Sequence, residues 1–451
     1  MSSTSRIQNV ALPGTAPDTK WTVELEGGTV RQLSPYEDNA ESSQPAIDGQ
    51  GGLLAPSLCH PHIHLDKAYL LSHPRYSHLQ IERGDFQEAM DLTGKAKSQF
   101  ERADLLERGQ RVIDESVTAG VTHMRAFVEV DAGVHTKCLD AGIELKQNAY
   151  NDKNCLIQLC AFAQLPLFSP AKDDSNGDVI RSLIRSAAQT GHIDAVGSTP
   201  YVEADGKRMK QNVEWMVDLS IEFGLHMDFH LDYNLDSNTE PMVWHVVQTL
   251  KDRKWRQRTS HRTVVLGHCT RLTLWDDAQW RELANDIAEA DLPISFVGLP
   301  TSDLFMMRTG QQPEVRGTLN VPKLIDEYGL NACIGINNIG NAFTPQGSCD
   351  PLALACQGVG IYQTGTKRDT ELLYECISTR AKAAIGVQQQ RRDMDVNIQV
   401  GDKADLVLLR GCGAGQAQWR TRKSVSEAVY LYDHCQSRRT FLAGEISAAK
   451  E

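Results

Sequence analysis
Three separate stretches of this sequence carry imidazoles that could meet in space. They are Pro61-His62-Ile63-His64-Leu65-Asp66-Lys67, the segment 225–233 that contains His230, and the segment 263–269 that contains His268. His62 and His64 are two residues apart, so on an extended chain both side chains leave the same face. Two imidazole nitrogens on one face can share a divalent ion at about 2.0–2.1 Å. Alone, the His-x-His spacing carries little information, because a turn histidine followed by a satisfied core histidine gives the same pattern. With His230 and His268 at the ends of two further β-like runs, the set reads as a metal site. His60 stands on the other side of Pro61, where the kinked chain breaks the alternation; it reads equally as a solvent-facing turn residue and is left outside the set.

These residues need elements that bring distant segments to one place. Short runs rich in apolar and β-branched residues recur near 53–58, 122–130, 155–164, 192–199, 225–233, 263–269, 292–299 and 331–339. Between several of them, apolar residues return at three and four, which predicts helices over Asp104 to Ala119, Leu139 to Ala149, Val179 to Thr190, Gln211 to Phe223 and Val321 to Tyr328. Alternation of this kind predicts an α/β fold, a (β/α)8 TIM barrel, with a doubly wound sheet as the alternative. In a TIM barrel the strand C-termini converge on one mouth, where the histidines would lie. Residues 20–33, 397–409 and 438–446 look like further strands, so both chain ends are β-rich. They predict a small β-sandwich from residues 1–55 and 385–451, flanking a barrel over 56–384. A short polar run, QQQRRD, occupies 388–393.

Composition narrows the class. A chain of 451 residues with 41% hydrophobic residues can bury a large core. A net charge of −12 and the lack of a basic stripe argue against nucleic acid, whose binding requires phosphate neutralisation. The first twenty residues hold no apolar signal core, and no apolar run reaches the roughly eighteen residues that a bilayer helix needs. Eleven cysteines without a CxxC pair suit buried thiols in a reducing compartment. The expectation is a cytoplasmic protein with a small-molecule substrate, no nucleic acid and no membrane; a homo-oligomer is compatible with it.

The segments PHIHLDK, GVTHMRAFVEVD, AFAQ, HMDFHLD, GHCTRLT, RGTLNVPKLIDEYGLNACIGINN and VGDKADLVLL resemble, in order and context, the amidohydrolase superfamily. Within it the chain is most similar to cytosine deaminase and related one-metal deaminases, from about residue 50 to 410. The resemblance implies the same barrel and sandwich, and one divalent metal ion, zinc or iron. It implies His62, His64 and His230 as ligands, with position 337, normally aspartate, as the fourth. It further implies that His268 contacts the activated water or the substrate and that Gln164 reads the heterocycle. The segment HIDAVGST lacks the lysine that two-metal members place there, so a single ion is expected.

Two departures bear on chemistry. Where the cytosine branch has His-Cys-Asp-Glu, this chain has His230-Leu231-Asp232-Tyr233, and where that branch has Gly-His-Asp-Asp it has Gly335-Ile336-Asn337-Asn338. Asn337 can offer a metal only a neutral amide oxygen and cannot take a proton at neutral pH. Asp232 is the nearest carboxylate that could act as acid or base, unless it is structural, and Tyr233 could donate a hydrogen bond or pack against substrate. Asn338 and Phe343 stand where that branch contacts its substrate, while Ala126 and Phe127 replace its Thr-His pair, so cytosine itself is disfavoured. The expectation is a hydrolase that attacks a C–N bond of a small cyclic amidine, amide or lactam through metal-activated water. The alternatives are an isomerase, lyase or cyclase using the ion as a Lewis acid, and a non-catalytic binding paralogue.

Overall fold
Eight strands run parallel in chain order and form one sheet. They are β1 (Leu58–His64), β2 (Val121–Glu129), β3 (Leu156–Ala163), β4 (Ala195–Ser198), β5 (His226–Leu231), β6 (Val264–His268), β7 (Ile294–Gly298) and β8 (Ala332–Ile334). The sheet closes just beyond β8, where Asn337 N donates to His62 O at 3.1 Å and His64 N donates to Asn337 O at 2.9 Å. The computed structural model describes residues 5–16, 18–38, 45–171, 173–310, 312, 314–387, 394–412, 418–432 and 437–447; the polar run 388–393 lies outside them.

Every residue of β1, β2, β5, β6 and β7 is buried. Parallel strands packed inside by the barrel and outside by helices require this, which is why they read as continuous apolar runs. Helix Asp178–Gln189 shows one apolar stripe, burying Ile180, Ile184, Ala187 and Ala188. Helix Gly206–Phe223 starts where the Asp205 carboxylate accepts from Arg208 N and stops at Gly224, whose φ of +62° suits the glycine.

Both chain ends build the small sandwich. One sheet joins Thr29–Pro35, Trp21–Glu26, Ser5–Val10 and Ile47–Asp48; the other joins Glu445–Ser447, Arg438–Leu442, Leu406–Leu409 and Leu53–Pro56. Ile7, Val23, Leu25, Leu54, Leu406, Leu408 and Phe441 form their common core.

The structure corrects three expectations. The run 53–58 is not the first barrel strand: Leu53–Pro56 pairs antiparallel with Leu406–Leu409 in the sandwich, and the barrel begins at Leu58. His62 and His64 therefore lie within β1 and not after it. The predicted strand 331–339 shrinks to Ala332–Ile334, because the chain beyond Gly335 bends into the closing seam. Helix Phe86–Lys97, which buries Ala89, Leu92 and Ala96 inside the long β1–β2 connection, was not expected. Among the described residues no helix is long and apolar enough to cross a membrane, and the described cysteines form no disulfide.

Candidate metal centre
Simple strand alternation would point His60, His62 and His64 the same way. The pairing of β1 with β2 slips between His60 and Ile63, at Pro61, and this irregularity separates them. His60 Nε2 lies 3.0 Å from Ser116 Oγ on the helix Arg102–Thr118. His62 and His64 turn instead to His230 at the end of β5. His62 Nε2 and His64 Nε2 each lie 3.1 Å from His230 Nε2. All three rings are buried and offer nitrogens within 4.8 Å of one another.

This geometry fits a metal ion. Ligands about 2.1 Å from a shared ion, at octahedral to tetrahedral angles, stand about 3.0–3.4 Å apart. The protonation state fits too. Burial holds His62, His64 and His230 below the usual histidine range; the Asp228 carboxylate partly offsets this for His62, and the other imidazoles and Lys67 add to it for His64 and His230. The burial is apolar: the Phe127 ring lies 4.1 Å from His62, and that of Phe162 lies 4.3 Å from His230. Neutral imidazoles are the form that binds metal.

Asn337 contributes an unpaired acceptor. Its side-chain Nδ2 donates to Ser302 Oγ at 2.9 Å, while its Oδ1 is buried without a hydrogen-bond partner. An orphaned amide oxygen of this kind is costly unless a cation or donor meets it. Beneath the trio, Asp228 Oδ1 lies 3.6 Å from His62 Nδ1, and Asp228 Oδ2 accepts from Arg125 at 3.1 Å. At that distance the Asp228 carboxylate acts on the His62 ring mainly through its charge, offsetting part of the effect of burial.

His268 closes another side of the centre. Its ring stands 5.1 Å from His230 and 4.0 Å from Tyr233, which is itself buried. Its Nδ1 lies 2.7 Å from Asp303 Oδ1, a carboxylate on the helix Pro300–Met306 that follows β7. The structure places Asp232 elsewhere. Its oxygens accept from Met242 N at 2.7 Å and Val243 N at 3.1 Å, anchoring the start of helix Val243–Asp252. Burial raises its carboxyl to about 6 despite those two donors.

Two of the three expected substrate residues, Gln164 and Phe343, stand at the Lys67 ammonium, and the third, Asn338, is linked to the Lys67 backbone through Asn341. The Lys67 ammonium donates to Glu129 Oε1 at 2.9 Å and to Gln164 Oε1 at 3.3 Å, and it stands 5.1 Å from the centre of the Phe343 ring. Asn338 Oδ1 accepts from Asn341 Nδ2, which also donates to Lys67 O and so ties the β8 loop to the β1 loop. Burial would raise the Glu129 carboxyl, but the ammonium groups of Lys67 and Lys97 hold it at about 2. Phe86 completes an aromatic wall, 5.9 Å from Tyr233 and 5.8 Å from Phe343.

Four residues at these strand ends adopt left-handed backbone conformations: Asp232 (φ +47°), His268 (+67°), Cys269 (+48°) and Asn337 (+67°). For residues with a β-carbon this costs on the order of 1–3 kcal/mol each, and such strain gathers where side chains must be aimed. Sequence reasoning passed over Lys67, Glu129, Asp303 and Phe86. Glu129 and Asp303 both carry a readable signal, a carboxylate at or just beyond a strand end.

Comparison with protein-family models finds no match, and comparison with curated protein sequences finds none. Solved structures do match. 5-Methylcytosine deaminase from Klebsiella pneumoniae, liganded with 5-fluorocytosine, superposes with a TM-score of 0.81 at 21% identity, over 99% of this chain and 98% of that one. N-isopropylammelide isopropylaminohydrolase from Burkholderia multivorans gives 0.76 at 19%, over 99% and 98%. Guanine deaminase from C. acetobutylicum, with bound guanine, gives 0.64 at 13%, over 99% and 100%. These structural neighbours are amidohydrolase-superfamily members, and the chain shares their fold, barrel and terminal sheets together.

Proposed function
We propose that this protein is a divergent, one-metal amidohydrolase that hydrolyses a C–N bond of a small cyclic amidine, amide or lactam. The observation that carries the reading is the convergence of three buried imidazole nitrogens, from His62, His64 and His230; the fourth donor we assign is the orphaned Oδ1 of Asn337, whose backbone is bonded to that of His62 and His64. Those four residues would hold one divalent ion, zinc or iron. When bound, such an ion polarises water and the carbon under attack.

The chain's own residues divide the remaining work. His268 takes or holds a proton on Nε2, the ring nitrogen turned away from Asp303. Tyr233, packed on His268, donates a hydrogen bond to the departing nitrogen or to developing negative charge. Gln164, beside the Lys67 ammonium, and Asn338, on the loop after β8, present amides to the edge of the ring. Phe343 and Phe86 cover its faces and exclude water. Asp232 has no part in proton transfer, since both its oxygens are engaged by backbone N–H groups.

A second reading rests on one observation: positions 233 and 337 carry no carboxylate. It keeps the ion as a Lewis acid in an isomerisation, elimination or cyclisation. Turnover in ¹⁸O-labelled water separates the two. Incorporation of one label per product supports hydrolysis, and unlabelled product overturns it.

A further inference from the structure
We propose that Asp303 is the positioning residue of this site: it holds His268 as the Nδ1–H tautomer and so keeps the Nε2 lone pair aimed at the metal centre. This rests on the preceding reading only for the use to which Nε2 is put. The hydrogen bond itself stands apart from it.

The argument begins with the partners of Asp303. Its side chain is fully buried, and each oxygen is engaged: Oδ1 with His268 Nδ1 at 2.7 Å, Oδ2 by Thr318 Oγ1 at 3.0 Å and Leu299 N at 3.2 Å. A carboxylate fixed on two sides by donors cannot swing away from the histidine. An ionised carboxylate accepts and does not donate, so the His268 nitrogen facing it must carry the hydrogen. In a neutral ring the other nitrogen is then the bare acceptor.

The backbone sets where the ring stands. His268 and Cys269 are successive left-handed residues, with φ of +67° and +48°. This turn aims the ring across the barrel mouth, where it lies against Tyr233 and His230. Without Asp303 the ring could flip or exchange tautomers, and an N–H would then point at the centre, where an acceptor is needed. Holding an imidazole in one tautomer through a buried aspartate is the role that such a carboxylate plays in hydrolytic triads. Position 233 cannot serve this purpose, since it is tyrosine, and Asp232 is committed to Met242 and Val243.

The test is long-range ¹H–¹⁵N NMR on full-length protein labelled with ¹⁵N-histidine, with the His268 signals assigned by their loss in His268→Gln. In the native protein, with and without added Zn²⁺, His268 should show a protonated Nδ1 and a bare Nε2. Asp303→Asn should lose that preference, and Asp303→Glu should recover part of it, while far-UV circular dichroism and Zn²⁺ stoichiometry stay unchanged. A native His268 protonated at Nε2 overturns the proposal, whatever the variants do. So does a folded Asp303→Asn protein that keeps the Nδ1–H tautomer. Failure of Zn²⁺ to bind would sink the one-metal reading and leave the tautomer result standing by itself.

Discussion

The backbone carbonyl of Asn337 accepts a hydrogen bond at 2.9 Å from the backbone N–H of His64. The bond that closes the barrel thus joins two of the residues proposed to hold the metal. Register along this seam and geometry at the centre are one constraint: a slip of one residue would turn His64 and Asn337 to the wrong face.

Purified protein should carry close to one zinc or iron per chain by mass-spectrometric metal analysis. His230→Ala should abolish it, because His230 Nε2 is the atom that both His62 and His64 approach at 3.1 Å. A chain that takes up no stoichiometric divalent ion would refute the metal centre.

Asn337→Asp should tighten metal binding by about tenfold or more, since it sets an anion beside a cation where water is excluded. Aspartate tolerates the left-handed backbone at this position, and Ser302 can donate to its carboxylate. Competition with a chelator measures the change; unchanged affinity would show that Oδ1 is not a ligand.

Gly267→Ala probes the centre from behind. A β-carbon on Gly267 would come within 3.2 Å of His62 Cε1 and 3.4 Å of Nδ1, with the Phe229 carbonyl also at 3.4 Å. The imidazole must yield by a few tenths of an ångström. Metal affinity should fall severalfold with little loss of melting temperature, and chelator competition with thermal unfolding tests both.

Glu129→Gln should alter the acid limb of stability. The folded-state Glu129 carboxyl is held at about 2, below its ordinary value of 4.5, through Lys67 and Lys97. A depressed carboxyl stabilises the fold above its unfolded pKa, and the contribution fades as pH falls from about 4.5 towards 2. Urea unfolding across that window should show a difference between native and variant protein of up to a few kcal/mol at neutral pH that shrinks on acidification. A gap independent of pH would assign Glu129 to packing alone.

Asp232→Ala should destabilise the fold by about 1–3 kcal/mol by orphaning Met242 N and Val243 N. Zinc stoichiometry should stay at the native value. Loss of metal without loss of stability would return Asp232 to the centre.

By itself, the sequence determined the strand–helix alternation, the β-rich ends and the four histidines, because these depend on local periodicity and on short-range parity such as that of His62 and His64. It also marked Asn337 as the unusual position. Tertiary structure decided what depends on contacts between distant segments. Leu53–Pro56 went to the sandwich because its partner, Leu406–Leu409, lies some 350 residues away. Asp232 became a helix anchor because Met242 and Val243 fold back onto it. Asp303 gained its partner only where β6 and β7 lie side by side, and Lys67 its place only where the loops after β1 and β3 meet the end of β2. Periodicity reports which face a residue takes, whereas the partner it finds there is set by strand order and barrel closure.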